Sequence, residues 1–166
     1  YSLDLVPTMA GLLGLPCWEK WGGQSFASAL TGGEAAGRPF LVLSQMAHVC
    51  QRSVRMDDWL YIRTYHDGYH LFDEEMLFNL REDPYEQRDV KEAYPDVVNR
   101  LAHVLLNWVD EQMLRSDAAS DPLWEVMKEG GPSHTRGFLP AYLRRLEATG
   151  RAEGAQELRR RHPDAL

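Results

Sequence analysis

The feature that most constrains this chain is a change of apolar rhythm around Asp83-Pro84. Upstream, apolar residues come in short runs and in alternation, as strands require. Downstream, from Pro95, they recur every three or four residues, as one face of a helix requires. The switch lies within Leu71 to Val90, LFDEEMLFNLREDPYEQRDV. Met76 to Leu80 has strand length, and Asp83-Pro84 breaks it, because proline fixes its own φ and pushes the preceding residue out of the helical region. A chain divided in this way predicts an α+β fold: a small antiparallel sheet of about four strands packed on a long helix, with an additional helical tail.

The other elements follow from the same patterns. Asp4 is placed to cap a helix with apolar positions Leu5, Met9, Leu12 and Leu13, Pro7 in its first turn, and Gly14 and Pro16 as stop signals. Gly32 to Gly37 is small and polar, a loop by composition. Phe40 to Leu43 is an apolar run of strand length. Arg52 to Met56 pairs with Trp59 to Tyr65 across an Asp57-Asp58 turn. Val97, Val98, Leu101, Val104, Leu105, Trp108 and Met113 line one face of a helix that should lie across the sheet. Beyond Ser116, three short helices are expected at Pro122 to Lys128, Phe138 to Thr149 and Ala152 to Arg161, with Leu139, Tyr142, Leu143, Leu146 and Leu158 as their buried stripe.

Composition narrows the function classes. At 166 residues the chain can bury roughly two thirds of its unfolded surface, so no staple is needed. The formal charge of -7, with cations gathered late in Arg144-Arg145 and Arg159-Arg160-Arg161, argues against nucleic acid as a partner. No apolar run is long enough to cross a bilayer. Cys17 and Cys50 have no metal-ligand spacing and read as ordinary thiols. With no initiator Met and no signal segment, the chain opens in mid-element, which is expected of a carboxyl-terminal piece.

Four stretches, beginning at Asp4, Gly23, Arg52 and Leu77, resemble one family. LFNL-REDPYEQRDV resembles the "LYDL-xxDPxExxNL" signature near the carboxyl end of the sulfatases of the alkaline phosphatase superfamily, with Phe78-Asn79 and Asp89-Val90 departing from it. DLVPTMAGLLGLP resembles "DLxPTLxxLAGLP", and Gly23-Gln24-Ser25-Phe26 resembles "DGxSL" with Gly22 in place of its usual neighbour. The hairpin at Arg52 resembles "RxVRTxxYKYI", with Leu60 where a lysine is common. The likeness covers roughly Asp4 to Glu111. It implies three regions: a linking helix and loop over 1–37 that continues from a missing catalytic core, a sheet-plus-helix subdomain over 38–115, and a helical tail over 116–166. The implied partner is that amino-terminal catalytic domain; beyond Ser116 the likeness fades, and the tail is read as an appendage that packs on the parent enzyme or on a second subunit. Two alternatives stay open: a subdomain of a phosphonate or phosphate ester hydrolase of the same superfamily, and an independent dimerisation module.

The resemblance also says what chemistry to look for. Sulfatases make formylglycine from the Cys or Ser of a C-x-P-x-R motif and hold a divalent cation, usually calcium, with Asp and Asn side chains. Neither Cys17, followed by Trp18-Glu19-Lys20, nor Cys50, followed by Gln51-Arg52-Ser53-Val54, has the proline. Formylglycine and calcium are therefore expected on the parent enzyme, and no catalytic or metal-binding residue is expected here. By analogy the segment Ser44 to Gln51 lies near the mouth of the substrate pocket, which makes His48 and Gln45 candidates for binding substrate, against the plainer reading of His48 as a sheet-edge histidine. Arg52, Arg55 and Arg63 alternate along strands and read as a solvated face. His66, Asp67, His70 and Asp73 read as a polar loop, since their spacing fits no metal-ligand pattern. Asp83 and Glu86 read as caps of the turn and of the helix that follows it.

Overall fold

A computed structural model describes residues 1–34 and 37–165; part of the Gly32 to Gly37 loop lies outside them. The chain divides into two compact units, Tyr1–Leu41 and Val42–Leu166.

The first unit holds α1 (Leu5–Leu12), preceded by a 3-10 turn at Ser2–Asp4, and the one-turn α2 (Ala27–Leu30). Asp4 sits at the N-cap position of α1, but its carboxylate does not cap that helix. It accepts the Gln24 N–H at 2.7 Å and pairs with the Arg38 guanidinium, which ties the loop back onto the helix start. The Thr8 hydroxyl donates back to the Asp4 carbonyl at 2.6 Å and accepts the Phe26 N–H at 3.0 Å, which fastens the segment before α2 to α1. Only Pro7, Thr8 and Ala10 of α1 are buried.

The second unit is the α+β body. Its sheet has the order β1 (Leu41–Gln45), β2 (Cys50–Met56), β3 (Trp59–His66), β4 (Glu75–Asn79), which is the expected four-strand meander. β2 and β3 run antiparallel, with Met56 opposite Trp59 across the Asp57-Asp58 turn, and Asp57 takes the positive φ of 54° that so tight a hairpin needs. β4 pairs with β3 from Trp59 opposite Asn79 to Arg63 opposite Glu75. The helix α3 (Pro95–Arg115) packs on β2 and β3 and buries Leu101 and Leu105.

Arg52 corrects the solvated-face reading. It lies on the inner face of β2 with Cys50 and Val54, only 7% exposed. Its guanidinium meets the Asp121 carboxylate through two bonds of 2.5 and 2.6 Å and lies 5.8 Å from the Trp108 ring centroid. Asp121 also caps α4 (Pro122–Lys128) by accepting the Leu123 N–H at 2.9 Å. Burial is tolerated because both charges are paired and the remaining acceptor capacity is used.

The polar residues of the Leu71 to Val90 stretch fold back on its own backbone. Asp83 accepts the Arg88 N–H at 2.7 Å. Asp89 accepts the N–H groups of Leu77 and Lys91, each at 3.0 Å, and Val90 N–H donates to the Leu77 carbonyl, so this segment is held alongside β4. Glu86 is exposed at φ 56° and precedes the start of α3 by nine residues, so it caps no helix.

In the tail, α5 (Leu139–Ala148) and α6 (Ala152–Arg161) form a helical hairpin. Leu139, Leu143, Leu146, Ala155 and Leu158 are buried together with Tyr69, with Tyr142 half-buried beside them. Each fully buried leucine contributes about 1.5–3 kcal/mol. The predicted stripe is thus consumed within the chain, against the loop that follows β3.

Candidate functional site

Candidate functional side chains gather at the open end of the β2–β3 pair. The register ends with Cys50 opposite His66, beside an irregularity between Cys50 and Gln51. Two residues further out, His48 arrives opposite Gly68. A Cβ on Gly68 would collide with the His48 carbonyl, and its φ is 61°, so only glycine lets the two chains pass here. Tyr69 and Leu71 also take positive φ, 68° and 60°. Non-glycine residues in that region cost on the order of 1 kcal/mol or more each and persist only where surrounding contacts impose them.

Those contacts are visible. Tyr69 is buried, its backbone N–H donates to Asp67 Oδ1 at 2.9 Å, and its hydroxyl donates to the Thr135 carbonyl at 3.0 Å. Thr135, itself fully buried, closes the turn by donating to the Pro132 carbonyl at 2.7 Å. The tail loop before α5 is therefore bolted to the loop after β3. Burial raises the Tyr69 hydroxyl above its ordinary pKa, which keeps it a neutral donor.

On the other side of the loop lies a cleft of about 380 Å³ whose lining includes Thr64, His66, Asp67, Asp73, Arg161 and His162. Asp67 is 5% exposed, and its Oδ1 lies 2.8 Å from His162 Nε2. Its Oδ2 is buried without a hydrogen bond among the described residues, with Arg161 Nη1 3.8 Å away. The His66 ring accepts the Gly68 N–H on Nδ1 at 3.0 Å and lies 5.0 Å from the His162 ring. Burial, then the neighbouring His162 and His134 charges, lower its pKa from the usual histidine value. The polar-loop reading places Asp67 but misses its partner: His66 ends β3, and Asp67, in the loop after it, holds the end of α6 through His162. No sequence spacing could reveal this, because the partner lies 95 residues away.

The two sequence-predicted site residues lie on the same end of the sheet. Gln45 ends β1 and His48 lies in the β1–β2 connection, both exposed and with side chains free of hydrogen bonds among the described residues. The structure brings to His48 a ring the sequence did not suggest, that of His134, at a centroid distance of 5.6 Å, and His70 lies 6.5 Å from His134. Among the described residues no group of three or more His, Cys, Asp or Glu is placed to hold a metal ion. Cys17 is exposed and Cys50 buried, where desolvation raises its thiol pKa. No described helix is long and apolar enough to cross a membrane.

Neither a protein-family model nor a curated protein sequence matches the chain. Solved structures do, and they define the fold: a four-strand meander crossed by a helix, as found in one part of sulfatase chains. A sulfatase-assigned protein of Bacteroides thetaiotaomicron superposes with a TM-score of 0.59 at 22% identity, covering 73% of this chain and 27% of its own. A 2-O GAG sulfatase gives 0.57 at 21% identity over the same shares. A third structure, solved with its substrate D-glucosamine-2-N,6-O-disulfate, gives 0.54 at 20% identity and covers 69% of this chain and 24% of its own. The chain thus spans about a quarter of the length of the structures it resembles.

Proposed function

We propose that this chain is the carboxyl-terminal subdomain of a sulfatase-type hydrolase that acts on sulfuric esters of a saccharide, the class to which the substrate of one structural neighbour belongs. In this reading an amino-terminal catalytic domain carries formylglycine and calcium, and the present residues stabilise that core and form one wall of its substrate pocket. His48 and Gln45 face the substrate from the sheet end, where their free side chains can donate to and accept from sugar hydroxyl or sulfate oxygens.

The observation that carries the proposal is the size of the match, 73% of this chain against 27% of the sulfatase-assigned neighbour. The first unit adds support. Leu5, Val6, Met9, Leu12, Leu13 and Leu15 are all exposed, Leu13 at 70% and Met9 at 62%, around a helix of only eight residues. Soluble surfaces seldom leave so dense an apolar set uncovered. Covering such side chains is worth about 1.5–3 kcal/mol each, enough to seat a core domain firmly.

The test is the product of the whole gene. Its coding sequence upstream of Tyr1 should contain a C-x-P-x-R or S-x-P-x-R motif, and the purified product should release sulfate from an aryl sulfate in the presence of calcium. The 166-residue chain alone should release none. An upstream region without that motif, or turnover by the isolated chain, would overturn the proposal.

A further inference from the structure

We infer that His48, His70 and His134 form one recognition patch for the sulfate group of a sulfated saccharide, so that the helical tail, through His134, supplies part of the binding surface. The inference rests on the sulfatase-type reading above and extends it to residues outside the sheet.

The three rings come from three separate segments: the β1–β2 connection, the loop after β3 and the loop before α5. They are brought together by construction. Gly68 lets its strand pass against the His48 carbonyl, and a Cβ there would also lie 3.2 Å from His70 Cδ2. Tyr69, between Gly68 and His70, grips the Thr135 carbonyl at 3.0 Å and so fixes the neighbouring His134. The outcome is an open row, with His134 between His48 at 5.6 Å and His70 at 6.5 Å, all three side chains exposed.

The chemistry of the row selects the ligand class. Each imidazole offers an N–H donor to an incoming oxygen, and a tetrahedral oxyanion accepts several donors at once. The three rings are not placed as a metal-binding group among the described residues. On a chain of net charge -7, an anion needs such a local gathering of donors in order to bind.

The experiment follows the imidazole ring signals of the 166-residue chain by NMR during titration with D-glucosamine-2-N,6-O-disulfate and, separately, with unsulfated D-glucosamine. His48, His70 and His134 should shift together and saturate with the sulfated sugar only, while His103 on α3 stays still. His134→Ala, at an exposed position, should weaken binding roughly tenfold, the loss of about one charge-assisted hydrogen bond. An equal response to both sugars, shifts confined to other histidines, no saturation, or unchanged affinity in His134→Ala would overturn the inference. Sulfate release by the whole gene product separates the two claims. Release with KM unchanged in His134→Ala removes the patch and leaves the hydrolase reading; saturable binding at the row without release does the reverse.

Discussion

Substituting Asp121 by alanine should be the most damaging single change in the second unit, and its cost can be worked from the structure. Asp121 holds both terminal nitrogens of Arg52, a residue only 7% exposed, and caps α4 through the Leu123 N–H. Removing the carboxylate leaves Arg52 charged and desolvated, with the Ser44 hydroxyl at 3.3 Å and the Trp108 ring as neutral neighbours. Breaking a buried pair in this way costs about 3–5 kcal/mol, and the lost cap adds roughly 1 kcal/mol. A domain of this size holds about 5–15 kcal/mol in total, so Asp121→Ala should shift a urea midpoint strongly or prevent folding outright.

A companion variant keeps the reasoning testable if Asp121→Ala does not fold. Asp121→Ser retains a capping oxygen, and combined with Arg52→Leu it removes both charges while filling the space of the aliphatic stem. The double variant should be more stable than Asp121→Ser alone, since the orphaned charge is gone. Urea unfolding read by tryptophan fluorescence would measure all forms. If Asp121→Ala cost less than about 1 kcal/mol, or if the two single changes simply added, the pair would not be the buried lock described here. The pH dependence has a defined sign. Burial pushes the Asp121 carboxyl up, but the Arg52 hydrogen bonds, the Leu123 N–H and the Arg52 charge pull it further down, so its net pKa is lowered. Its contribution is therefore present above the unfolded carboxylate pKa of about 3.9 and is lost as pH falls through the lower folded value.

Three further outcomes are expected. The pKa of His66 is lowered in the fold, so the fold resists its protonation: stability should fall as pH drops below about 6.5 and level off below the folded value, and His66→Gln should flatten that limb in thermal melts, an unaltered slope counting against the assignment. Gly68→Ala and Gly150→Ala both place a side chain at positive φ and share a cost of about 1 kcal/mol, but only the former strikes backbone, so it should be destabilised by at least 2 kcal/mol more in urea titrations; equal losses would refute the close approach at His48. Tyr69→Phe should keep the ring packed yet lose the bond to Thr135, lowering stability by about 1 kcal/mol and raising amide exchange through residues 131–137 ahead of the sheet; unchanged exchange there would mean that the hydroxyl does not fasten the tail loop.

How much of this molecule was legible in its sequence depends on how far apart the cooperating residues lie. The hairpin across Asp57-Asp58, the helix beginning at Pro95 and the helices at Pro122–Lys128 and Ala152–Arg161 follow from period and stop signals within a dozen residues, and the structure places them there. What pattern reading missed is carried by pairs with no local signature. Arg52 sits at an alternating strand position that could face either way, and the deciding partner, Asp121, is 69 residues on. Asp67 looks like a loop residue until α6 delivers His162 to it. His134 falls in a Gly-Pro-Ser loop that composition marks as featureless, yet Tyr69 reaches across 66 residues to hold its neighbour. The same logic sharpens the site. His48 was found by analogy with a family segment, while the rings that join it were found only because glycine at Gly68 and tyrosine at Tyr69 sustain a backbone that most residues avoid. That backbone is held by the core itself, since Tyr69 is buried with Leu139, Leu143, Leu146, Ala155 and Leu158 and Leu71 packs beside them, so the packing that fastens the tail also decides which rings are left beside His48 at the surface.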